Sequence, residues 1–134
     1  MLIPFFKDTF KFTQSKILVV DDIQENIDLI TSFYDNQPFT FIEANDGDDA
    51  VDLANKELPD IILMDLKMPR MSGYEACELI RNTSIIPKVP IVAVSASVMD
   101  RDIKLLEKDF NGYVSKPVDF DELNIMLAKY IKVE

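Results

Sequence analysis

Five side chains in this sequence could do chemistry together: Asp21, Asp22, Asp65, Ser95 and Lys116. Each lies at the end of a short strand-like run. Ile17-Leu18-Val19-Val20 leads into Asp21-Asp22, and Ile61-Ile62-Leu63-Met64 into Asp65. Pro90-Ile91-Val92-Ala93-Val94 leads into Ser95, and Gly112-Tyr113-Val114-Ser115 into Lys116-Pro117. Three carboxylates brought within about 5 Å of one another cannot all stay ionised without a counter-charge. Hard oxygen ligands at an open, hydrated site favour Mg²⁺, which keeps several waters and commonly shares a phosphate oxygen. Mn²⁺ takes the same oxygen donors. Asp65 stands alone at the end of its run and reads as a nucleophile, because carboxylates form acyl phosphates. Lys116 offers a point charge to a phosphoryl oxygen, and Ser95 offers a hydroxyl to another. Phosphoryl transfer needs chiefly positioning and charge neutralisation, and these groups supply both. Taken singly they say little, since an acidic pair after a strand is more often a solvated helix start. The joint pattern carries the argument.

That pattern requires the apolar runs to be neighbouring strands ending on one edge. Short continuous apolar runs read as strands buried on both faces of a parallel sheet, and open α/β sheets place ligands beyond the strands' carboxyl ends. Between the runs lie helical periods. Asp22 to Asn36 carries Ile23, Ile27, Ile30 and Phe33-Tyr34 at spacings of three and four, and Asn36 and Pro38 end it. Phe39 to Ala44 reads as a second strand, and Asp46-Gly47 as a turn. A helix with Ala50, Leu53 and Ala54 on one face closes near Pro59. A helix from about Tyr74 to Asn82 should bury Ala76, Leu79 and Ile80, with Cys77 a small packing residue. Asp100 can cap a short helix bearing Ile103, Leu105 and Leu106. Asp119 and Glu122 have capping-box spacing, followed by Leu123, Met126, Leu127, Tyr130 and Ile131 on one face. Five strands alternating with five helices predict a three-layer, doubly wound α/β fold with a parallel central sheet.

Residues 16 to about 131 resemble the receiver domains of two-component response regulators. The resemblance rests on Ile17-Leu18-Val19-Val20-Asp21-Asp22, on Pro59 through Glu75 with its Met64-Asp65-Leu66-Lys67-Met68-Pro69 centre, on Pro90 through Ala96, and on Gly112 through Pro117. The wording is closest to receivers of hybrid sensor histidine kinases. The resemblance implies a flavodoxin-like (βα)5 fold with sheet order 2-1-3-4-5. It implies Asp65 as phosphoacceptor, and Asp21, Asp22, Asp65 and the backbone carbonyl of Lys67 as Mg²⁺ ligands. Ser95, the backbone of Ala96 and Lys116 would bind the phosphoryl group. Ser95 stands where threonine is more common and keeps the hydroxyl. Tyr113 matches a switch aromatic, and the bond before Pro117 should be cis. The implied partner is a sensor histidine kinase or a histidine phosphotransfer protein. The implied signalling face, which could also pair two copies as a homodimer, combines the fourth helix, fifth strand and fifth helix.

Other readings are weaker. A haloacid-dehalogenase-type phosphatase also uses an aspartyl nucleophile after a strand, but it wants a second acid two residues on, where this chain has Lys67. A receiver-like interaction module working without phosphorylation would not need the complete set of five. With 134 residues the chain reads as one domain of 16–134, preceded by an arm or linker of 1–15. Phe5, Phe6, Phe10 and Phe12 crowd that segment, and exposing all of them would invite association. A formal net charge of −10 and the lack of a basic run argue against direct nucleic-acid binding. No apolar run approaches membrane-spanning length, and the first residues lack the form of a secretion signal. The single cysteine suits a reducing compartment, so a cytoplasmic protein is expected. No output segment is expected after the last helix.

Overall fold

The computed structural model describes residues 10–96 and 100–134, without the side chains of 100–103 and 105. Phe5 and Phe6 of the expected arm, and the side chains of Ile103 and Leu105, lie outside the described residues. The elements alternate as β1 (Ser15–Val20), α1 (Gln24–Phe33), β2 (Phe39–Ala44), α2 (Gly47–Glu57), β3 (Ile61–Met64), α3 (Gly73–Thr83), β4 (Ile91–Ser95), α4 (Asp100–Asp109), β5 (Gly112–Ser115) and α5 (Phe120–Tyr130). All neighbouring strands pair parallel, in the order β2-β1-β3-β4-β5. This is the flavodoxin-like doubly wound arrangement expected from the sequence.

The apolar runs are continuous because helices cover both faces of the sheet. Leu18, Val20, Ile62, Met64, Ile91 and Ala93 face a core completed by α2, α3 and α4. Their neighbours Ile17, Val19, Ile61, Leu63, Val92 and Val94 face a second core built with α1 and α5. Parallel pairing of β1 with the central β3 brings the two strands that end in acids side by side, with both acids at the carboxyl edge of the sheet.

Local signals set most element ends. Ser72 caps α3, accepting from Glu75 N–H while the Glu75 carboxylate accepts from Ser72 N–H. Asp46 caps α2 by accepting from Asp49 N–H, and Asp119 caps α5 by accepting from Asp121 and Glu122 N–H. Asp100 is itself the first residue of α4.

Three details differ from expectation. The first helix is shorter than 22–36, because Asp21 Oδ1 accepts from Ile23 N–H and holds that link extended, while turns at 34–37 end the helix early. Ile23 is 49% exposed and so stands outside the apolar stripe. Leu79 is also exposed on α3, where Cys77 takes the inward position beside Ala76 and Ile80.

Phe12 sits in the α1–α5 core at 2% exposure and bridges antiparallel to Val133. Thr13 N–H donates to Lys132 O, and Glu134 N–H donates to Lys11 O. Among the described residues no helix is long and apolar enough to cross a membrane.

Candidate acidic phosphoryl site

The β1 and β3 strand ends are laced at the backbone. Asp21 N–H donates to Ala44 O at 3.1 Å, and Asp65 N–H donates to Val20 O at 2.9 Å. One oxygen each from Asp21, Asp22 and Asp65 lies within 4.8 Å of the others, an arrangement able to hold a metal ion. Asp21 and Asp65 are buried, whereas Asp22 is exposed. Such a set, hard oxygens at a partly open edge, fits a small hydrated divalent cation and not a soft metal.

Lys116 reaches this cluster from the β5–α5 link. Its Nζ stands 2.6 Å from Asp21 Oδ2 and 3.5 Å from Asp65 Oδ1. Lys116 N–H donates to Ser95 O at 2.9 Å, which fixes the ends of β4 and β5 together, and the Lys116–Pro117 bond is cis. Ser95 is buried at the end of β4, and Ala96 beside it is exposed. Tyr113 points outward from β5 at 39% exposure. Lys67 is exposed in the loop after Asp65.

Burial is the main reason the Asp65 carboxyl is raised from 3.8 to about 6, and the charge of Asp21 adds to it. Lys116 pulls the other way, and Asp22 contributes a smaller upward push. Asp65 is thus disfavoured as an anion, and it gains from any added positive charge.

Several supports of the cluster carry no signal in the sequence. Asn26 Nδ2 donates to Asp21 Oδ1 and Asn45 Nδ2 to the Asp21 carbonyl. Arg70, at φ 68°, pairs with Asp46 at 3.0 Å. A Cβ on Gly73 would collide with the Asp65 carbonyl oxygen, so only glycine lets α3 start this close to the phosphoacceptor candidate. The Asp46-Gly47 dipeptide signalled a turn, but nothing in the sequence said what that turn touches.

The response regulator receiver domain model matches residues 17–128. The sensor kinase/phosphatase LuxN of Vibrio harveyi is 30% identical over 86% of this chain, which spans 13% of that protein. The histidine kinase BarA of Escherichia coli K12 is 34% identical over 85% of the chain, spanning 12% of BarA. The chain therefore corresponds to a small part of these relatives. Among solved structures, the receiver domain of the sensor histidine kinase PA1611 from Pseudomonas aeruginosa is similar at TM-score 0.79 and 30% identity, covering 88% of this chain and 98% of that one. That receiver is described with a magnesium ion coordinated in its active-site cleft. Vibrio cholerae CheY4 shares the fold at TM-score 0.81 and 24% identity, over 88% of this chain and 99% of that one. With the family model matching most of its length, the chain belongs to the response regulator receiver domain family.

Proposed function

We propose that this chain is a phosphorelay module that accepts a phosphoryl group on Asp65 from a phosphohistidine donor. The observation that carries the reading is Lys116 Nζ lying between Asp21 and Asp65 within the three-acid cluster. An Asp65 carboxylate oxygen attacks phosphorus in line. The P–N bond to the donor imidazole breaks, the P–O bond of an acyl phosphate forms, and the imidazole leaves as a neutral base once protonated. Asp21, Asp22, Asp65 and the Lys67 carbonyl are the residues to hold Mg²⁺, or Mn²⁺ in its place. Bound there, the cation supplies charge neutralisation at the phosphoryl oxygens.

The chain's own groups do the rest. Lys116 gives its ammonium to a phosphoryl oxygen, and the Ser95 hydroxyl and Ala96 N–H serve as donors to others. Ser95 moving toward the phosphoryl group frees space for Tyr113 to turn inward. That shift biases the surface of α4, β5 and α5 between two states, by as much as the phosphoryl group distinguishes them. The partner is a sensor histidine kinase or phosphotransfer protein, and exposed Ile23, just ahead of α1 and next to Asp22, and exposed Leu29 on α1 offer it apolar contact.

Intact-mass measurement after incubation with Mg²⁺ and a small acyl-phosphate donor tests the reading. A hydroxylamine-labile gain of about 80 Da, the mass of a phosphoryl group, is expected in wild type and not in Asp65→Asn. A gain that persists in Asp65→Asn, or no gain in wild type, overturns the assignment.

A further inference from the structure

The turn Asn45-Asp46-Gly47 follows β2 and contributes no acid to the cluster, yet it touches both loops that do. On one side, Asn45 Nδ2 donates to the Asp21 carbonyl at 3.2 Å and to Gln24 Oε1 at 3.2 Å. On the other, Asp46 Oδ2 receives Arg70 Nη2 at 3.0 Å. Gly47 lies beneath Met71, whose Cγ would sit 2.8 Å from a Cβ at this position. The same Asp46 carboxylate caps α2 through its other oxygen, accepting from Asp49 N–H at 2.8 Å. Its position is therefore fixed by the helix before Arg70 arrives.

The loop it holds needs holding. Arg70 is not glycine but stands at φ 68°, a left-handed conformation that costs free energy and persists only where its surroundings impose it. The chain from Leu66 to Gly73 closes with Gly73 N–H donating to Leu66 O. Lys67 lies in the first half of that loop and Arg70 at its far bend, so a clasp on Arg70 restrains the segment that carries Lys67.

We propose that Asn45-Asp46-Gly47 is a positioning element for the cation site. From β2 it ties the Asp21–Asp22 loop to the Lys67 loop and so sets the spacing between the β1 and β3 ligands. Asn45 and Asp46 act through Asp21 and Arg70 and touch neither cation nor phosphoryl group. The inference rests on the reading of the three acids as a Mg²⁺ site.

Calorimetric Mg²⁺ titration of the full chain tests it, with a urea midpoint for each variant as a check on folding. Asp46→Asn keeps a side-chain oxygen for the α2 cap but loses the charge that holds Arg70. Asp46→Asn and Arg70→Ala are each expected to weaken Mg²⁺ binding about 2–5-fold, roughly 0.4–1 kcal/mol, with urea midpoints near wild type. The double variant should be no weaker than either single one, because both remove one contact. Arg70→Lys should recover part of the loss. Asn45→Ala should weaken binding by a separate route, additively with Arg70→Ala. Wild-type affinity in all of these variants overturns the inference while leaving the acidic site intact. A wild type that binds no Mg²⁺ overturns the reading of the site itself, and the inference with it.

Discussion

Lys116 Nζ lies 2.6 Å from Asp21 Oδ2, an ion pair between residues 95 positions apart with both side chains largely out of water. Before any cation binds, this pair supplies the counter-charge that three clustered acids require. Removing one partner of such a pair leaves an uncompensated charge in a poorly solvated place. Lys116→Met is expected to lower stability in EDTA by about 2–4 kcal/mol, below the full buried-pair cost because the pocket is open at Asp22. Saturating Mg²⁺ should recover part of the loss, since it binds the folded pocket and not the dispersed acids. Urea titrations with EDTA and with Mg²⁺ measure both effects. Equal midpoints for wild type and variant in EDTA would show that the pair contributes nothing.

Gly73 offers a sharper steric test. A methyl group there meets backbone, the carbonyl of Asp65, which cannot rotate away. Gly73→Ala is expected to cost about 3 kcal/mol, the upper end for overpacking, and to slow phosphorylation by shifting the Asp65 loop. At Gly112 the same methyl group would meet only the Met126 side-chain tip, at 2.9 Å. Gly112→Ala should stay within about 1 kcal/mol of wild type. Urea midpoints of the two variants, side by side, separate backbone collision from a contact that can yield.

The strands were legible because burial on both faces forces continuous apolar runs, and Asp21, Asp65 and Lys116 sit directly behind them; their order followed only from the resemblance to receiver domains. Helix ends were less legible. Where α1 begins is decided by the Asp21 carboxylate accepting from Ile23 N–H, a competition that periodicity does not register. On α3 the spacing of Ala76, Leu79 and Ile80 predicts Leu79 inward, but Cys77 takes the inward place and Leu79 is exposed. Asn124 carried no signal at all. It is fully buried on α5 and accepts from Tyr34 O–H at 2.6 Å, a contact between residues 90 apart that exists only once α1 and α5 pack. Arg70 and Asn45 were invisible for the same reason, since their partners come from other loops.

Phe12 tests whether the first residues belong to the domain energetically. Its ring stands 5.3 Å from that of Phe39 and 5.7 Å from that of Phe10, inside the α1–α5 core. Phe12→Ala should cost about 3–5 kcal/mol, the range for a large aromatic removed from a core that cannot fully collapse. Phe10→Ala, at a half-buried position, should cost clearly less. Thermal and urea midpoints give the comparison, and a Phe12→Ala variant as stable as wild type would mark the segment as merely resting on the domain.

Asp65 connects the function to stability through pH. Burial chiefly, and then the charge of Asp21, raise its carboxyl from 3.8 to about 6. The folded protein therefore holds a proton on Asp65 in a range where the unfolded chain has lost it. Stability falls as pH rises wherever the folded state binds more protons. Below about pH 4 both states are protonated and Asp65 costs nothing. Between about 4 and 6 the cost grows, and above 6 it is complete. Asp65→Asn removes the charge while nearly keeping the shape. In EDTA its advantage over wild type should be absent near pH 4, grow up to pH 6 and level off beyond it. The plateau should be about 1–3 kcal/mol, at most the energy of moving the carboxyl from 3.8 to about 6 and less where solvent reaches the site. Mg²⁺ should shrink the difference at pH 7, because it stabilises the wild-type acids more than the neutral amide. Urea titrations of both proteins across this pH range provide the measurement. A variant less stable than wild type at pH 7 in EDTA would mean that the ionised carboxylate is not under strain here, and that the other acids do not act on it.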